Sequence, residues 1–324
     1  MAERIWITWE KHRRTCELAS QIPGLTLFLL EYRGHRLSRY SVLLTKTIRI
    51  LRHNRPRLVI VQNPSIILTA FVLLCSKLMQ FSVVVDAHNE GLRPFHRYQN
   101  WLLPLYNFLQ SHAALTIVTN QNLANAVALN RGRPFVLEDK IPDLSPKRSL
   151  QLQGKHNIVY ICTFEKDEPF REVIQAACIL DPAIFVYITG PKEKAPASVF
   201  KNPPDNLVFC DFLPEEDYIN LLHSCDAVLD LTRMEDCLVC GAYEAVALAK
   251  PLILSNTSAS RSYFSNGAVY TDNTPEAIAR AVARALDQQT VLLKEAQSLR
   301  NKLRTDWEQK KTQFLYALNR IETR

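Results

Sequence analysis

Residues 226–256 read DAVLDLTRMEDCLVCGAYEAVALAKPLILSN, and their pattern decides the fold. An apolar run at 226–232 leads into a helical pattern from about 240, and a second apolar run follows at 250–256. Strands that are apolar almost throughout, joined by a helix, are buried on both faces and belong to a parallel sheet. The same alternation extends toward the carboxyl end. A strand at 267–271 follows, and helices fill most of 274–323. Toward the amino end, strands at 156–164, 183–190 and 206–210 alternate with helices near 169–179 and 214–223. Segment 139–155 has two prolines and no clear periodicity, as an inter-domain linker would. Before it, strands at 4–9, 25–31, 57–62, 81–88, 115–120 and 134–139 alternate with helices near 11–20, 38–53, 65–79, 99–112 and 121–129.

The predicted class is therefore α/β, with two doubly wound Rossmann-like domains facing each other across a cleft. Residues 1–145 form the first and 146–300 the second. Residues 301–324 are expected to form a helix packing back toward the first. A chain of 324 residues suits two cores of ordinary size.

Hydrophobic residues make up 47% and charged residues 22%, without low-complexity tracts, which excludes a disordered chain. The start, MAERIWITWEKHRR, lacks a small-residue cleavage site and does not read as a secretory signal, so a cytoplasmic protein is expected. The most lipid-like stretch, 66–86, is interrupted by Lys77 and Gln80 and ends in a β-branched run closed by Asp86, which reads as a helix followed by a strand. Eight cysteines, mostly single and set in apolar runs, read as reduced thiols.

Charge is uneven. Residues 1–150 carry 20 lysines and arginines against 9 acids, whereas the rest carry 19 against 23, so all of the net charge of +7 originates in the first part. Those arginines are either solvated or form a face that meets an anion such as phospholipid. No stacking motif accompanies them, so nucleic acid is not an expected partner.

The stretch 226–282 resembles the nucleotide-sugar region of retaining glycosyltransferases of the GT-B fold, in particular glycosyltransferase family 4, also called group 1. The features that carry it are two acids with seven residues between them, Asp236 and Glu244, the Glu244–Ala245 pair, and the Lys250–Pro251 turn into a strand. Residues 156–290 fit well, and the first half fits only in layout. The resemblance implies a UDP- or GDP-sugar donor. A helix entered from a strand offers free N–H groups and a positive end to a diphosphate. Glu244, expected in the first helical turn, would bind ribose hydroxyls. Asp236 would grip the transferred sugar, with Glu235 an alternative one residue out of register. Gly241 stands later than the family's glycines, which directly follow the first acid. The family's Arg and Lys after the first strand of this domain are missing, with Thr163, Phe164 and Pro169 near their places. The diphosphate is left to Arg233, Lys166, Arg171 or Arg261, or to backbone donors helped by Thr163.

In the first domain VVVDAHNEG ends a strand with Asp86, His88 and Asn89 on the rim where the cleft is expected. Relatives carry a histidine in such a loop near the anomeric carbon. His88 is thus the second catalytic candidate beside Asp236, and the other reading is a histidine that satisfies loop backbone. Arg13 and Arg14 begin a helix, where cations oppose its dipole, so they are assigned to an anionic ligand on the acceptor side or to solvent.

Cys237 and Cys240 form the only C-x-x-C. A closed zinc site needs about four ligands, and His223 and Cys225 lie where a helix runs into a buried strand. The sulfurs therefore read as pocket wall.

The implied reaction moves a sugar to an acceptor hydroxyl with retention, through a front-face route requiring no metal or other cofactor. Segments 37–55 and 91–109, basic and aromatic, suggest a glycan or lipid-linked acceptor and a peripheral contact with an anionic membrane. That would suit bacterial-type surface polysaccharide or glycolipid assembly at the inner face of the cell membrane. The rivals are a GT-B epimerase acting on the nucleotide sugar and a non-catalytic partner subunit.

Overall fold

The computed structural model describes residues 3–32, 34–63, 65–87, 89–92 and 101–323. Two compact units emerge, Met1–Lys140 with Asp306–Arg324, and Ile141–Thr305.

The first unit runs β1 (Arg4–Thr8), α1 (Arg13–Ser20), β2 (Leu25–Leu29), α2 (Arg36–Asn54), β3 (Leu58–Asn63), α3 (Ile66–Met79), β4 (Ser82–Ala87), α4 (Asn89–Leu92), α5 (Leu103–His112), β5 (Leu115–Val118), α6 (Gln121–Leu129) and β6 (Pro134–Val136). Its six strands are parallel in the order β2-β1-β3-β4-β5-β6. Every residue of β3 is buried, which explains its unbroken apolar pattern. β6 is an edge strand opened by a proline, and it spans three residues where the sequence suggested six.

The second unit runs β7 (His156–Tyr160), α7 (Phe170–Ile179), β8 (Ile184–Thr189), β9 (Leu207–Asp211), α8 (Glu215–Ser224), β10 (Ala227–Asp230), α9 (Cys240–Ala247), β11 (Leu252–Ser255), α10 (Ser258–Tyr263), β12 (Ala268–Thr271), α11 (Pro275–Asp287) and α12 (Gln289–Glu322), with short 3-10 turns at Lys192–Lys194 and Ala197–Phe200. Its strands are parallel in the order β12-β11-β10-β7-β8-β9. Three helix starts carry side-chain caps, whereas Ser65 before α3 makes none. Asn120, Thr257 and Thr274 accept from the N–H groups of Leu123, Ser260 and Ala277.

α12 is one uninterrupted helix, so no break separates residues 289–300 from the segment expected to begin at 301. It contains neither Gly nor Pro, and its buried side chains continue in helical register from Leu292, Leu299 and Leu303 to Trp307, Phe314 and Leu318. The last three join Trp6, Ile60 and Val84 in a core of the first unit. There the Trp307 indole N–H donates to the Glu138 carbonyl at 3.1 Å, and Arg4 pairs with Glu322 at 2.6 Å. Among the described residues no helix is long and apolar enough to cross a membrane. The 66–86 stretch divides into α3 and β4.

Candidate functional site

In the second unit β7 and β10 are neighbours, yet the chain leaves β7 toward β8 on one side and β10 toward β11 on the other. The loops 161–169 and 231–239 therefore diverge at the carboxyl ends of these strands. This is the topological switch point at which doubly wound sheets bind ligands.

The loop after β7 is organised by Glu168. Its carboxylate accepts from the Thr163 N–H (2.9 Å), the Thr163 hydroxyl (2.9 Å) and the Glu165 N–H (2.9 Å). Phe164 adopts a left-handed backbone (φ 59°) within this turn. The turn explains why the strand expected to reach 164 ends at Tyr160. Burial raises the pKa of Glu168 above the ordinary carboxylate range, and the bonds from Thr163 and Glu165 oppose the shift. Gly190, after β8, is required here, because at its φ of 103° a Cβ would lie 2.0 Å from the Cys162 carbonyl oxygen.

Asp167 ties the two loops together. Its carboxylate accepts from the Thr232 hydroxyl at 2.9 Å, and its carbonyl accepts from the Arg233 N–H at 2.7 Å. Beside this bridge opens a cavity of about 610 Å³ whose charged lining is Lys166, Arg171, Lys194 and Arg233 together with Glu165, Glu168 and Glu172. Arg233 pairs with Glu172 at 2.7 Å and Lys194 with Glu165 at 2.7 Å. The expected cations Lys166, Arg171 and Arg233 thus share one crevice with Thr163 close by. Lys194, in the 3-10 turn Lys192–Lys194 after β8, is the one sequence reasoning missed. Arg261 sits elsewhere, on α10, bonded to Asn256 and stacked 4.5 Å over the Tyr270 ring.

After β10 the acids separate. Asp236 is buried, whereas Glu235 is exposed and accepts from the Ser258 N–H at 2.7 Å, at the start of α10. Glu244 lies in the second turn of α9, not the first, because the helix begins at Cys240. Its carboxylate accepts from the Tyr218 hydroxyl of α8 at 2.5 Å. Cys240 is exposed and Cys237 is half-buried. Among the described residues no group of three His, Cys, Asp or Glu side chains could hold a metal ion.

Asp230, the last residue of β10, is buried and lies against the start of α9. Gly241 permits this closeness. A Cβ there would lie 2.6 Å from the Asp230 carboxylate and 2.4 Å from Ile161 Cδ1. Burial first, then the charges of Glu168 and Glu244, raises the pKa of Asp230 well above the carboxylate range. The clue in the sequence was an acid closing an apolar strand.

In the first unit Arg14 is not available to an external anion as expected. Its guanidinium is enclosed, donating to Asp86 at 3.1 and 3.2 Å, to the Leu137 carbonyl at 2.9 Å and to Asp139. Desolvation would lower its pKa, but the charges of Asp86 and Asp139 outweigh it and the pKa rises. Arg13 is half-exposed and pairs with Glu17 one turn along α1 at 2.8 Å. Asn89 is the first residue of α4, and His88 lies outside the described residues.

Several solved structures share this architecture. Anabaena HepE, crystallised with UDP and glucose, superposes with a TM-score of 0.76 at 14% identity, over 98% of this chain and 99% of that one. A sucrose-phosphate synthase from Thermosynechococcus elongatus gives 0.77 at 13% identity, over 98% and 99%. A putative UDP-N-acetylglucosamine 2-epimerase from Listeria monocytogenes gives 0.62 at 13%, over 92% and 91%. At such identities the likeness establishes the fold, two parallel six-stranded α/β sheets of the GT-B class. No curated protein matches the chain. Residues 144–310 match the family described as glycosyl transferases group 1, a span that contains both loops of the switch point. The chain belongs to the group 1 glycosyl transferases.

Proposed function

We propose that the protein transfers a sugar, with retention at the anomeric carbon, from a nucleoside diphosphate donor to a hydroxyl of a glycan or lipid-linked acceptor. The observation that carries this is the crevice between the β7 and β10 loops, where Lys166, Arg171, Lys194 and Arg233 converge inside the family-matched span. Cations gathered at a switch point suit a diphosphate, and HepE and the sucrose-phosphate synthase supply the chemical precedent by name.

In this reading Glu244 binds ribose hydroxyls, Asp236 and His88 act on the transferred sugar, and the cations stabilise the departing diphosphate. The acceptor oxygen forms its bond to the anomeric carbon while the bond from that carbon to the phosphate oxygen breaks. The acceptor proton passes to the leaving phosphate. No step needs a metal, so a chelator should leave turnover intact.

The Listeria structure favours a second reading, nucleotide-sugar epimerisation, in which an epimer forms from the donor alone. Thermal-shift titration with UDP, GDP and their common sugars, followed by donor incubation with and without acceptors, separates the two. The expected result is a shift by one nucleotide series, lost in Glu244→Ala, with no epimer in the absence of acceptor. An unchanged shift in Glu244→Ala would remove the ribose role.

A further inference from the structure

Two neighbouring helices of the first unit carry exposed apolar side chains. On α3, Leu74 and Leu78 are 62% and 79% exposed and continue the helical stripe begun by Ile67. On α5, Leu105 and Phe108 are 42% and 57% exposed, and Trp101, just before the helix and four residues ahead of Leu105, is 76% exposed. The two helices pack against each other, so their stripes share one surface. Concentrated exposed leucine, phenylalanine and tryptophan mark an interaction face.

A cavity of about 430 Å³ opens at the carboxyl ends of the same helices. Lys77 of α3, His112 of α5, and Arg131 and Arg133 between α6 and β6 line it together with Ser76 and Ser111, and its lining contains no acid. The helix dipoles account for Lys77 and His112. Arg131 and Arg133, which are exposed, follow the carboxyl end of α6, so three helix ends and four basic side chains meet at this cavity. The cavity lies where β4 and β5 begin, at the rim of the sheet opposite Asp86 and Asn89, and is therefore separate from the substrate edge.

We propose that this face docks on an anionic phospholipid bilayer. The α3 and α5 stripes enter the boundary between headgroups and acyl chains, and the basic cavity receives a lipid phosphate. A free anion would leave the stripes unused, and an uncharged protein partner would leave the cavity unused. A bilayer surface offers hydrocarbon and phosphate side by side. The basic excess of residues 1–150 has the matching sign. The surface differs from the one the sequence suggested in segment 37–55, because Tyr40 is the only large apolar side chain exposed among the described residues of α2. The proposal does not depend on the sugar chemistry.

Flotation of the full chain with vesicles tests it, using phosphatidylcholine alone and equal parts of phosphatidylcholine and phosphatidylglycerol. Trp6, Trp9 and Trp307 are buried, so Trp101 dominates any blue shift on binding. The expected result is binding to the phosphatidylglycerol vesicles with a blue shift, weakened by salt. Arg131→Glu and Arg133→Glu should each reduce partitioning at least about fivefold. Leu78→Asp should reduce it roughly tenfold. All three side chains are exposed, so circular dichroism and unfolding midpoints should not change. Equal binding to neutral vesicles, variants that partition like the native chain, capture of inorganic phosphate without vesicle binding, or a dimer dispersed by Leu78→Asp without vesicle binding would each overturn the proposal.

Discussion

Arg14→Met isolates a largely buried ion-pair cluster that joins α1 to β4 and to the segment after β6. The Asp86 side chain is completely buried, that of Arg14 is 9% exposed, and Asp139 keeps partial access to water. Methionine preserves most of the side-chain volume, so the perturbation is chiefly electrical. It leaves Asp86 as a buried charge whose guanidinium partner is gone, at a cost of about 3–5 kcal/mol. Against a total stability of roughly 5–15 kcal/mol, that should place the first unit near the edge of folding. Urea denaturation followed by circular dichroism reads the loss directly. Two further measurements fix its cause. The penalty should diminish as pH falls through the carboxylate range, because an Asp86 pushed upward by burial without its cation takes up a proton and sheds the buried charge. Arg14→Met combined with Asp86→Asn should recover most of the loss, since Asp139 can turn to solvent. A loss below about 1 kcal/mol, accompanied by a raised KM for acceptor, would refute the reasoning and return Arg14 to the role of anion receptor.

Two other outcomes follow from the second unit. Asp230 is raised well above the carboxylate range, so the folded state holds a proton that the unfolded chain releases, and stability should fall as pH rises from that range toward the raised value. One such proton contributes a slope of at most about 1.4 kcal/mol per pH unit. Asp230→Asn keeps the side-chain shape and should flatten that slope in urea titrations at several pH values, whereas an unchanged slope means that another group carries it. Arg233→Ala should weaken UDP or GDP binding about ten- to hundredfold by calorimetry, the value of a charge-assisted bond to phosphate. Glu172→Gln, which releases Arg233 from its ion pair, should tighten binding, and indifference to both changes would place the diphosphate elsewhere.

Most of the architecture was legible because parallel strands announce themselves. β3 and β4 are buried almost throughout, and only an apolar run can occupy such a position. The ends of elements were less legible, since local contacts that no periodicity encodes set them. β7 stops at Tyr160 because Glu168, six residues past the stop's near neighbour Cys162, folds back onto Thr163 and Glu165. α9 begins at Cys240, and this places Glu244 one turn deeper than the motif spacing implied.

The site shows the same division between composition and geometry. Sequence reasoning named three cations that line the β7–β10 crevice, because a diphosphate demands positive charge near a helix start and few such residues stand in those loops. It could not know which charges are already spent internally. DAVLD closes β10 with Asp230, and VVVD carries Asp86 one residue before the end of β4; both aspartates are buried. Asp86 holds Arg14 of α1, and Asp230 lies so close to the start of α9 that only glycine fits at 241. A carboxylate at the carboxyl end of a central strand lies where a ligand's phosphate would otherwise approach. In the second unit the cations Lys166, Arg171, Lys194 and Arg233 stand on the α7 side of the switch point beside Glu165, Glu168 and Glu172, so a diphosphate read from that side would compete with Glu172 for Arg233 and with Glu165 for Lys194.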